Sequence, residues 1–111
     1  MLEIGNRVLA MWPVEREWWY PGVVVESTSD EFLIQFDDGG RDSVPTEKAL
    51  LLSPINGTKI QCRWKGGTTF FPGKIVSVSG AAIAVAYDDG DQETTSVSMI
   101  RVHESVVHDW R

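Results

Sequence analysis

Apolar and polar residues alternate along several short segments of the chain, which is the pattern of half-buried β-strands. Residues 7–12 read RVLAMW and place Val8, Ala10 and Trp12 on one face. Residues 58–64, TKIQCRW, repeat that alternation. Five such segments occur in each half, separated by tight turns rich in Gly, Pro and Asp. The pattern therefore predicts an all-β protein built from small barrels.

The two halves of the chain are related by an internal repeat. Five pairs of residues recur at an offset of 51 or 52: Gly5 and Gly57, Trp12 and Trp64, Pro21 and Pro72, Phe36 and Tyr87, and Gly39 and Gly90. Two copies of about 50 residues are too few for a solenoid. We predict two domains instead, residues 1–52 and 53–111, joined by the link Ser53–Gly57.

Composition and charge narrow the classes of function. The chain has 111 residues, of which 42% are hydrophobic and 23% charged, as expected of a folded globular protein. It lacks an apolar run of about 20 residues and a signal-peptide pattern, so we expect an intracellular protein with no membrane partner. One cysteine, Cys62, excludes an internal disulfide.

The net charge of -6 argues against electrostatic binding to nucleic acid and favours a cationic partner. Residues 1–54 hold 10 acidic and 4 basic residues, whereas residues 55–111 hold 6 of each. The negative excess therefore lies in the first copy, which we expect to be the main binding copy.

The sequence aromatic–Asp–Asp–Gly ends the third strand of each copy. By itself it is typical of a hairpin turn, because Asp and Gly tolerate positive φ. In a small barrel, however, this turn meets the end of the first strand and the start of the second. The residues at that rim are Trp12, Tyr20, Phe36 and Asp38 in the first copy, and Trp64, Phe71, Tyr87 and Asp89 in the second.

Three aromatic faces beside a carboxylate suit a methylated ammonium ion. Each favourable cation–π contact contributes about 0.5–2 kcal/mol, and the carboxylate adds charge and a hydrogen bond where an N–H remains. The alternative is that the rings belong to the core, to which we assign Trp19, Phe70 and Phe32. Open, roughly perpendicular rings at one rim would favour binding, and rings packed flat into the core would not.

At these residues the chain resembles the Tudor family of the Royal superfamily, from Gly5 to about Val102. The matching motifs are VLAMW, WYPGVV and LIQFDDGG in the first copy, and IQCRW, FFPGKI and IAVAYDDGD in the second. The resemblance implies two tandem five-stranded SH3-like barrels. It also implies a nuclear, non-enzymatic module that reads methylated lysine or arginine in a basic peptide such as a histone tail.

Carried over residue by residue, the resemblance implies a cage of Trp12, Tyr20, Phe36 and Asp38, with Trp18 flanking it. A second, weaker cage would be Trp64, Phe71, Tyr87 and Asp89. Many lysine-reading members have one more aromatic residue two positions after the aspartate. Here those positions are Gly40 and Asp91, so both cages lack a wall.

Other chemistry has less support. The turn residues Asp88, Asp89 and Asp91 lack the spacing of a calcium loop, and His103 and His108 fit no zinc pattern. No catalytic or phosphate-binding motif occurs, so we predict no enzyme activity, metal or cofactor. Lys59, Arg63, Lys65 and Lys74 form the only basic cluster, which leaves weak nucleic-acid binding through the second copy open.

Two hypotheses of different classes remain, a monomeric methyl reader and a structural protein–protein adaptor without a working cage. The outward face of the first strand carries Leu9 and Met11, an apolar pair that needs a covering. The C-terminal segment Glu104–Trp110 has apolar residues that fit no barrel, and we predict that it forms a helical turn. This segment or the second copy is expected to cover Leu9 and Met11 and to make one rigid unit.

Overall fold

The computed structural model describes residues 2–111 and consists mainly of antiparallel strands. The strands are β1 (Arg7–Trp12), β2 (Glu15–Ser27), β3 (Glu31–Phe36), β4 (Arg41–Pro45), β5 (Ala49–Leu51), β6 (Lys59–Arg63), β7 (Phe70–Ser79), β8 (Ala82–Tyr87), β9 (Gln92–Ser96) and β10 (Ile100–His103). Short 3-10 helices span Thr46–Lys48, Trp64–Gly66, Val97–Met99 and Glu104–Trp110. The predicted all-β class and C-terminal helical turn are confirmed.

The first five and last five strands form two units with the same strand order, here called repeat 1 (β1–β5) and repeat 2 (β6–β10). The order is β4-β3-β2-β1-β5 in repeat 1 and β9-β8-β7-β6-β10 in repeat 2. Their turns also match, because Gly39 and Gly90 both adopt positive φ, 104° and 98°. This left-handed conformation favours glycine, which explains why Asp-Asp-Gly recurs.

Strand β10 joins the repeats into one continuous sheet. It pairs with β6 of its own repeat and, through Val102 opposite Trp19 and His103 opposite Trp18, with β2 of repeat 1. All ten strands therefore belong to one hydrogen-bonded sheet. Since backbone pairing crosses between the repeats, the division into domains at residues 52 and 53 stays a prediction.

Two hydrophobic cores hold these strands. The smaller lies within repeat 1 and consists of Val8, Ala10, Val24, Phe32, Ile34, Phe36, Val44 and Ala49. The larger is shared: Leu9, Met11, Trp19 and Leu50 of repeat 1 are buried with the interior of repeat 2 and with Val107 and Trp110. Cys62 lies in this shared core, where burial raises the pKa of its thiol.

The predicted covering of Leu9 and Met11 is confirmed. Both are buried in the same core as the C-terminal 3-10 helix, and Trp19 lies beside them fully buried. The indole N–H of Trp19 donates to the carboxylate of Glu104, at the start of that helix. Lys48 adds an ion pair with Glu104 at 3.3 Å. The helix is thus fixed by apolar burial and by polar contacts to repeat 1.

Among residues 2–111, no helix is long and apolar enough to cross a membrane. In the same range, no three His, Cys, Asp or Glu side chains are grouped as metal ligands would be.

We predict that deleting residues 104–111 lowers the melting temperature and increases binding of a hydrophobic dye, because the deletion uncovers Leu9, Met11 and Trp19. The point variant Trp110→Ala should destabilise by about 3–5 kcal/mol, the usual cost of removing a buried Trp. Thermal unfolding measures both changes. The control is His108→Ala on the same helix, whose side chain is 71% exposed. Equal melting temperatures for Trp110→Ala and His108→Ala would contradict the shared core.

Candidate functional site

Aromatic side chains surround a cavity of about 170 Å³ between the repeats, here called the inter-repeat pocket. The residues that define its chemistry are Trp12, Tyr20, Asp37 and Asp38 of repeat 1, and Arg63 and Phe70 of repeat 2. Trp12 ends β1, Tyr20 lies in β2, and the aspartates form the turn after β3. Three predicted cage residues, Trp12, Tyr20 and Asp38, therefore lie together.

The Tyr20 ring of this pocket stands nearly perpendicular to the rings of Trp12 and Phe70. The Trp12 and Tyr20 centroids are 5.5 Å apart at 83°, and the Tyr20 and Phe70 centroids are 6.2 Å apart at 77°. All three side chains are half-buried rather than enclosed. Edge-to-face pairs also occur in protein cores, so it is the partial exposure of these rings that leaves them open to a ligand.

The third aromatic wall is Phe70, and the prediction of Phe36 is wrong for this pocket. Alternation along β3 puts Phe32, Ile34 and Phe36 on the inner face, so Phe36 is 3% exposed and lies in the core of repeat 1. Phe70 was expected in a core. It is half-buried instead and faces Tyr20 across the boundary between the repeats.

Trp18 does not flank the cage as predicted. Its ring is stacked on the guanidinium of Arg101, with 3.9 Å between Cζ and the ring centroid, and contacts the His103 ring edge-on. The other side of Arg101 lies 4.2 Å from the Phe70 centroid. Trp18 is therefore separated from the inter-repeat pocket by Arg101, and it acts on the pocket through that side chain.

The aspartates of the pocket have different partners. One carboxylate oxygen of Asp38 accepts the backbone N–H of Gly40 at 3.1 Å, so the turn role proposed for this residue is real. Asp37 accepts two hydrogen bonds from Arg7, both of 2.6 Å, and one from Ser98 of repeat 2 at 2.6 Å. Asp37 therefore links the repeats, while Asp38 keeps one oxygen free of this turn bond.

The electrostatics of Asp37 follow from these bonds. Burial alone would raise the pKa of its carboxyl group, but the hydrogen bonds from Arg7 and Ser98 and the charge of Arg7 outweigh it and lower that pKa. The hydrogen bonding between Arg7 and Asp37 also raises the pKa of the Arg7 guanidinium.

Arg63 brings an unpaired donor to the pocket. Within residues 2–111, its Nε is buried without a hydrogen-bond partner. Its Cζ lies 5.9 Å from the Phe70 centroid. A buried N–H without a partner is costly, and an atom this buried is closed to a ligand unless the side chain moves.

The second copy forms a pocket of its own, the second-repeat pocket, of about 200 Å³. Its lining consists of Trp64, Phe71, Tyr87, Asp89 and Asp91. All four residues predicted for the second cage are thus brought together, although Tyr87, like Phe36 in repeat 1, is almost fully buried (5% exposed) and belongs to a core. The sequence analysis named Asp91 as a missing wall and as part of a set without calcium-loop spacing, but not as a cage residue, although a carboxylate two residues after Asp89 was a signal of added negative charge.

The predicted basic cluster is dispersed. Lys59 and Lys74 are exposed opposite each other on β6 and β7, whereas Arg63 points into the inter-repeat pocket. Lys65 lies beyond the end of β6, with φ of 51° and its ammonium 5.3 Å from the Trp64 centroid. Such a dispersed set does not form the continuous basic surface that phosphate binding needs.

Comparison with known proteins supports the fold. Residues 4–50 match the family model described as the Tudor domain of DNA repair protein Crb2. The crystal structure of the Crb2 tandem tudor domains superposes with a TM-score of 0.71 at 20% identity, covering 97% of this chain and 85% of that chain. No curated protein sequence matches the chain significantly.

Two structures of tandem Agenet-type domains are more distant. The Arabidopsis thaliana AGDP1 AGD34 structure has a TM-score of 0.48 at 15% identity, covering 93% of this chain and 83% of that chain. ADCP1 tandem Agenet domain 3-4 has a TM-score of 0.46 at 16% identity, covering 93% of this chain and 81% of that chain.

We predict that Asp37→Asn lowers the free energy of unfolding at pH 6 and has a smaller effect below about pH 4. The pKa of Asp37 is depressed in the folded state, so its contribution is present above the ordinary carboxyl pKa and is lost as pH falls through the folded value. Urea unfolding at pH 6 and pH 3 measures it. The control is Asp88→Asn, the exposed equivalent in repeat 2. Equal losses at both pH values would show that Asp37 does not act through its charge.

Proposed function

We propose that this chain, whose fold is similar to that of the Crb2 tandem tudor domains, is a non-enzymatic reader of methylated lysine or arginine in a basic peptide such as a histone tail. The peptide would place its methylated side chain in the inter-repeat pocket. A nuclear location and a monomeric state belong to the same proposal. Tudor folds generally serve as non-catalytic interaction modules, which is consistent with a non-enzymatic reader.

The observation that carries the proposal is the set of three half-buried rings, Trp12, Tyr20 and Phe70, that line one pocket with the carboxylate of Asp38. Ring faces attract a methylated ammonium through their quadrupoles, and the attraction strengthens when water is excluded. The aspartate adds a charge and an acceptor for any N–H that methylation leaves.

The size of the pocket supports a side-chain ligand. About 170 Å³ is well below the ~300 Å³ at which pockets for whole small molecules begin. A methylated side chain can enter such a space while the rest of the peptide stays outside. Pocket size thus favours recognition of a modified residue over binding of a free metabolite.

Arg63 gives the peptide main chain a place to bind. Arg63 lines the inter-repeat pocket, and its guanidinium would donate to a backbone carbonyl of the peptide. The positive charge of Arg63 opposes a cation, so the rings and Asp38 must supply the attraction. Recognition would then need both parts of the ligand, the methylated side chain and the neighbouring backbone.

We predict that Trp12→Ala abolishes binding on a methyl-lysine and methyl-arginine peptide array while the variant stays folded by circular dichroism, because the ring is half-buried at the rim. Phe70→Ala should weaken binding to the same peptides on the array, although Phe70 lies outside residues 4–50, which match the Tudor family model. The control is Val14→Ala, at a residue that is 71% exposed.

An unfolded Trp12→Ala variant would make Trp12 a core residue and remove this cage. Unchanged binding by Phe70→Ala would confine the site to repeat 1. A wild-type protein that binds no methylated peptide, but does capture unmodified proteins, would favour the adaptor hypothesis.

We predict that Asp38→Asn weakens binding of mono- and dimethyl-lysine more than binding of trimethyl-lysine. Only the lower states keep an N–H to donate to the carboxylate. The asparagine oxygen still accepts from Gly40, so the turn is preserved and the charge alone is removed. Calorimetry with one peptide in three methylation states measures the difference. Equal losses for all three states would show that Asp38 acts only through long-range charge or only in the turn.

A further inference from the structure

We propose that an apolar groove on the joined sheet is a binding surface for an acidic peptide segment that carries a large apolar side chain. The groove, here called the β10 groove, has a volume of about 370 Å³ and lies where β2, β10, β6 and the C-terminal 3-10 helix meet. Its lining consists of Trp18, Lys59, Ile60, Gln61, His103 and Val106. None of these residues lines the inter-repeat pocket, so the inference does not rest on the proposed function.

The apolar part of the β10 groove comes from Trp18, Ile60 and Val106. Trp18 and Val106 are half-buried, so part of each side chain stays open to a partner. The Trp18 ring is already held in place, because Arg101 is stacked on one of its faces and the His103 ring contacts it edge-on. A fixed ring loses little side-chain entropy when a ligand packs against it. An apolar side chain of a partner therefore gains from burial here.

Two lysines face each other at the edge of this groove. Lys59 on β6 is directly opposite Lys74 on β7, and both side chains are exposed. Like charges directly opposite each other on neighbouring strands destabilise a sheet, so this pair is unfavourable in the free protein. A carboxylate between the two ammonium groups would replace their repulsion with two attractions. The lysine pair therefore favours an anionic partner.

The protein supplies no carboxylate of its own to this lysine pair. Within residues 2–111, neither Lys59 nor Lys74 forms an ion pair, and the same holds for Arg101 behind the groove. No Asp or Glu is among the lining residues. One carboxylate, that of Glu17, lies 3.9 Å from Nε2 of His103 at the opposite rim, and its side chain is 67% exposed. The lysine side of the groove is thus positive on a chain whose net charge is -6.

The distribution of these charges suits a peptide better than a nucleic acid. A phosphate backbone needs a continuous track of basic side chains. Here the lysines lie on β6 and β7, whereas Glu17 lies on β2, at the other side of β10, where it would repel a neighbouring phosphate. The groove is also within the range of about 300–1,000 Å³ that holds a small ligand or a short segment. One or two carboxylates beside a large apolar side chain match both of its parts.

The test is a titration of the full chain, followed by the indole N–H signal of Trp18 in a ¹⁵N-correlated NMR spectrum. The probe is the acetylated and amidated peptide EELFEE, with KKLFKK and EEGGEE for comparison. We expect EELFEE to shift the Trp18 signal saturably and to leave the Trp12 signal in place. Raising the salt from about 0.1 M to about 0.5 M should weaken binding several-fold, because exposed charges are then screened. KKLFKK and EEGGEE should bind roughly tenfold more weakly, because each lacks one of the two matching parts.

Lys74→Glu separates binding from folding. It replaces the repulsion across β6 and β7 with an attraction to Lys59, so the melting temperature should rise. The affinity for EELFEE should nevertheless fall by roughly tenfold. The matched control is Lys65→Glu, which makes the same charge change at an exposed residue outside the groove. This control should bind EELFEE as the wild type does.

A Trp18 signal that stays in place up to about millimolar EELFEE overturns the inference. Equal weakening by Lys74→Glu and Lys65→Glu also overturns it, because net charge alone would then explain the binding. A short oligothymidylate that shifts Trp18 at lower concentration than EELFEE would make the partner a nucleic acid and overturn the acidic peptide. None of these results bears on the inter-repeat pocket, whose test is Trp12→Ala on the peptide array.

Discussion

The burial of one apolar face of repeat 1 organises the whole molecule. Leu9, Met11 and Trp19 project away from the core of their own repeat, so they need a second layer. The C-terminal helix and repeat 2 supply it, each buried side chain contributing about 1.5–3 kcal/mol before entropy is counted. Once that layer is in place, β10 lies beside β2 and the backbones of the two repeats pair. The inter-repeat pocket is a consequence of this contact.

Arg101 transmits that contact to the pocket walls. Its guanidinium is stacked between Trp18 and Phe70, donates to Gln61 at 2.9 Å and donates to the Tyr20 hydroxyl at 3.2 Å. One side chain on β10 thereby fixes a wall from each repeat. A pocket whose walls are already held loses less side-chain entropy when a ligand binds. Arg101 itself does not line the inter-repeat pocket.

How far the sequence predicts this structure depends on the range of the interactions involved. The sequence predicts the strands and the Asp-Asp-Gly turns from local alternation and turn residues. It also predicts the second-repeat pocket, because all of the residues that line this pocket belong to one repeat. The position of Phe70 could not be predicted in this way, because it depends on how the two repeats dock. Its repeat 1 equivalent, Trp19, is fully buried in the shared core, so equivalence between the repeats would not have placed Phe70 at a pocket either. The docking is also what separates Trp18 from the cage.

The charge of each half was a poor guide to the charge of each pocket, and the reason is physical. Repeat 1 has the acidic excess, yet Asp37 is neutralised by Arg7 and bound to Ser98, and Arg63 enters its pocket from the other repeat. Repeat 2 is neutral over its length, yet its pocket is lined by two aspartates.

The electrostatic potential at each pocket is therefore set by the charged groups nearby and by their ion-pair partners. Exposed charges more than a Debye length of about 10 Å away are largely screened. The two repeats share a fold and a turn, but they use the same aspartate position differently. In repeat 1 the first aspartate of the turn, Asp37, joins the repeats together. In repeat 2 its equivalent, Asp88, makes no side-chain hydrogen bond within residues 2–111, and the carboxylate that accepts the Tyr87 hydroxyl is that of Glu93 on β9. In repeat 1, docking therefore ties up one carboxylate of the turn, Asp37, in bonds to Arg7 and Ser98. In repeat 2, the carboxylates of Asp89 and Asp91 line the pocket.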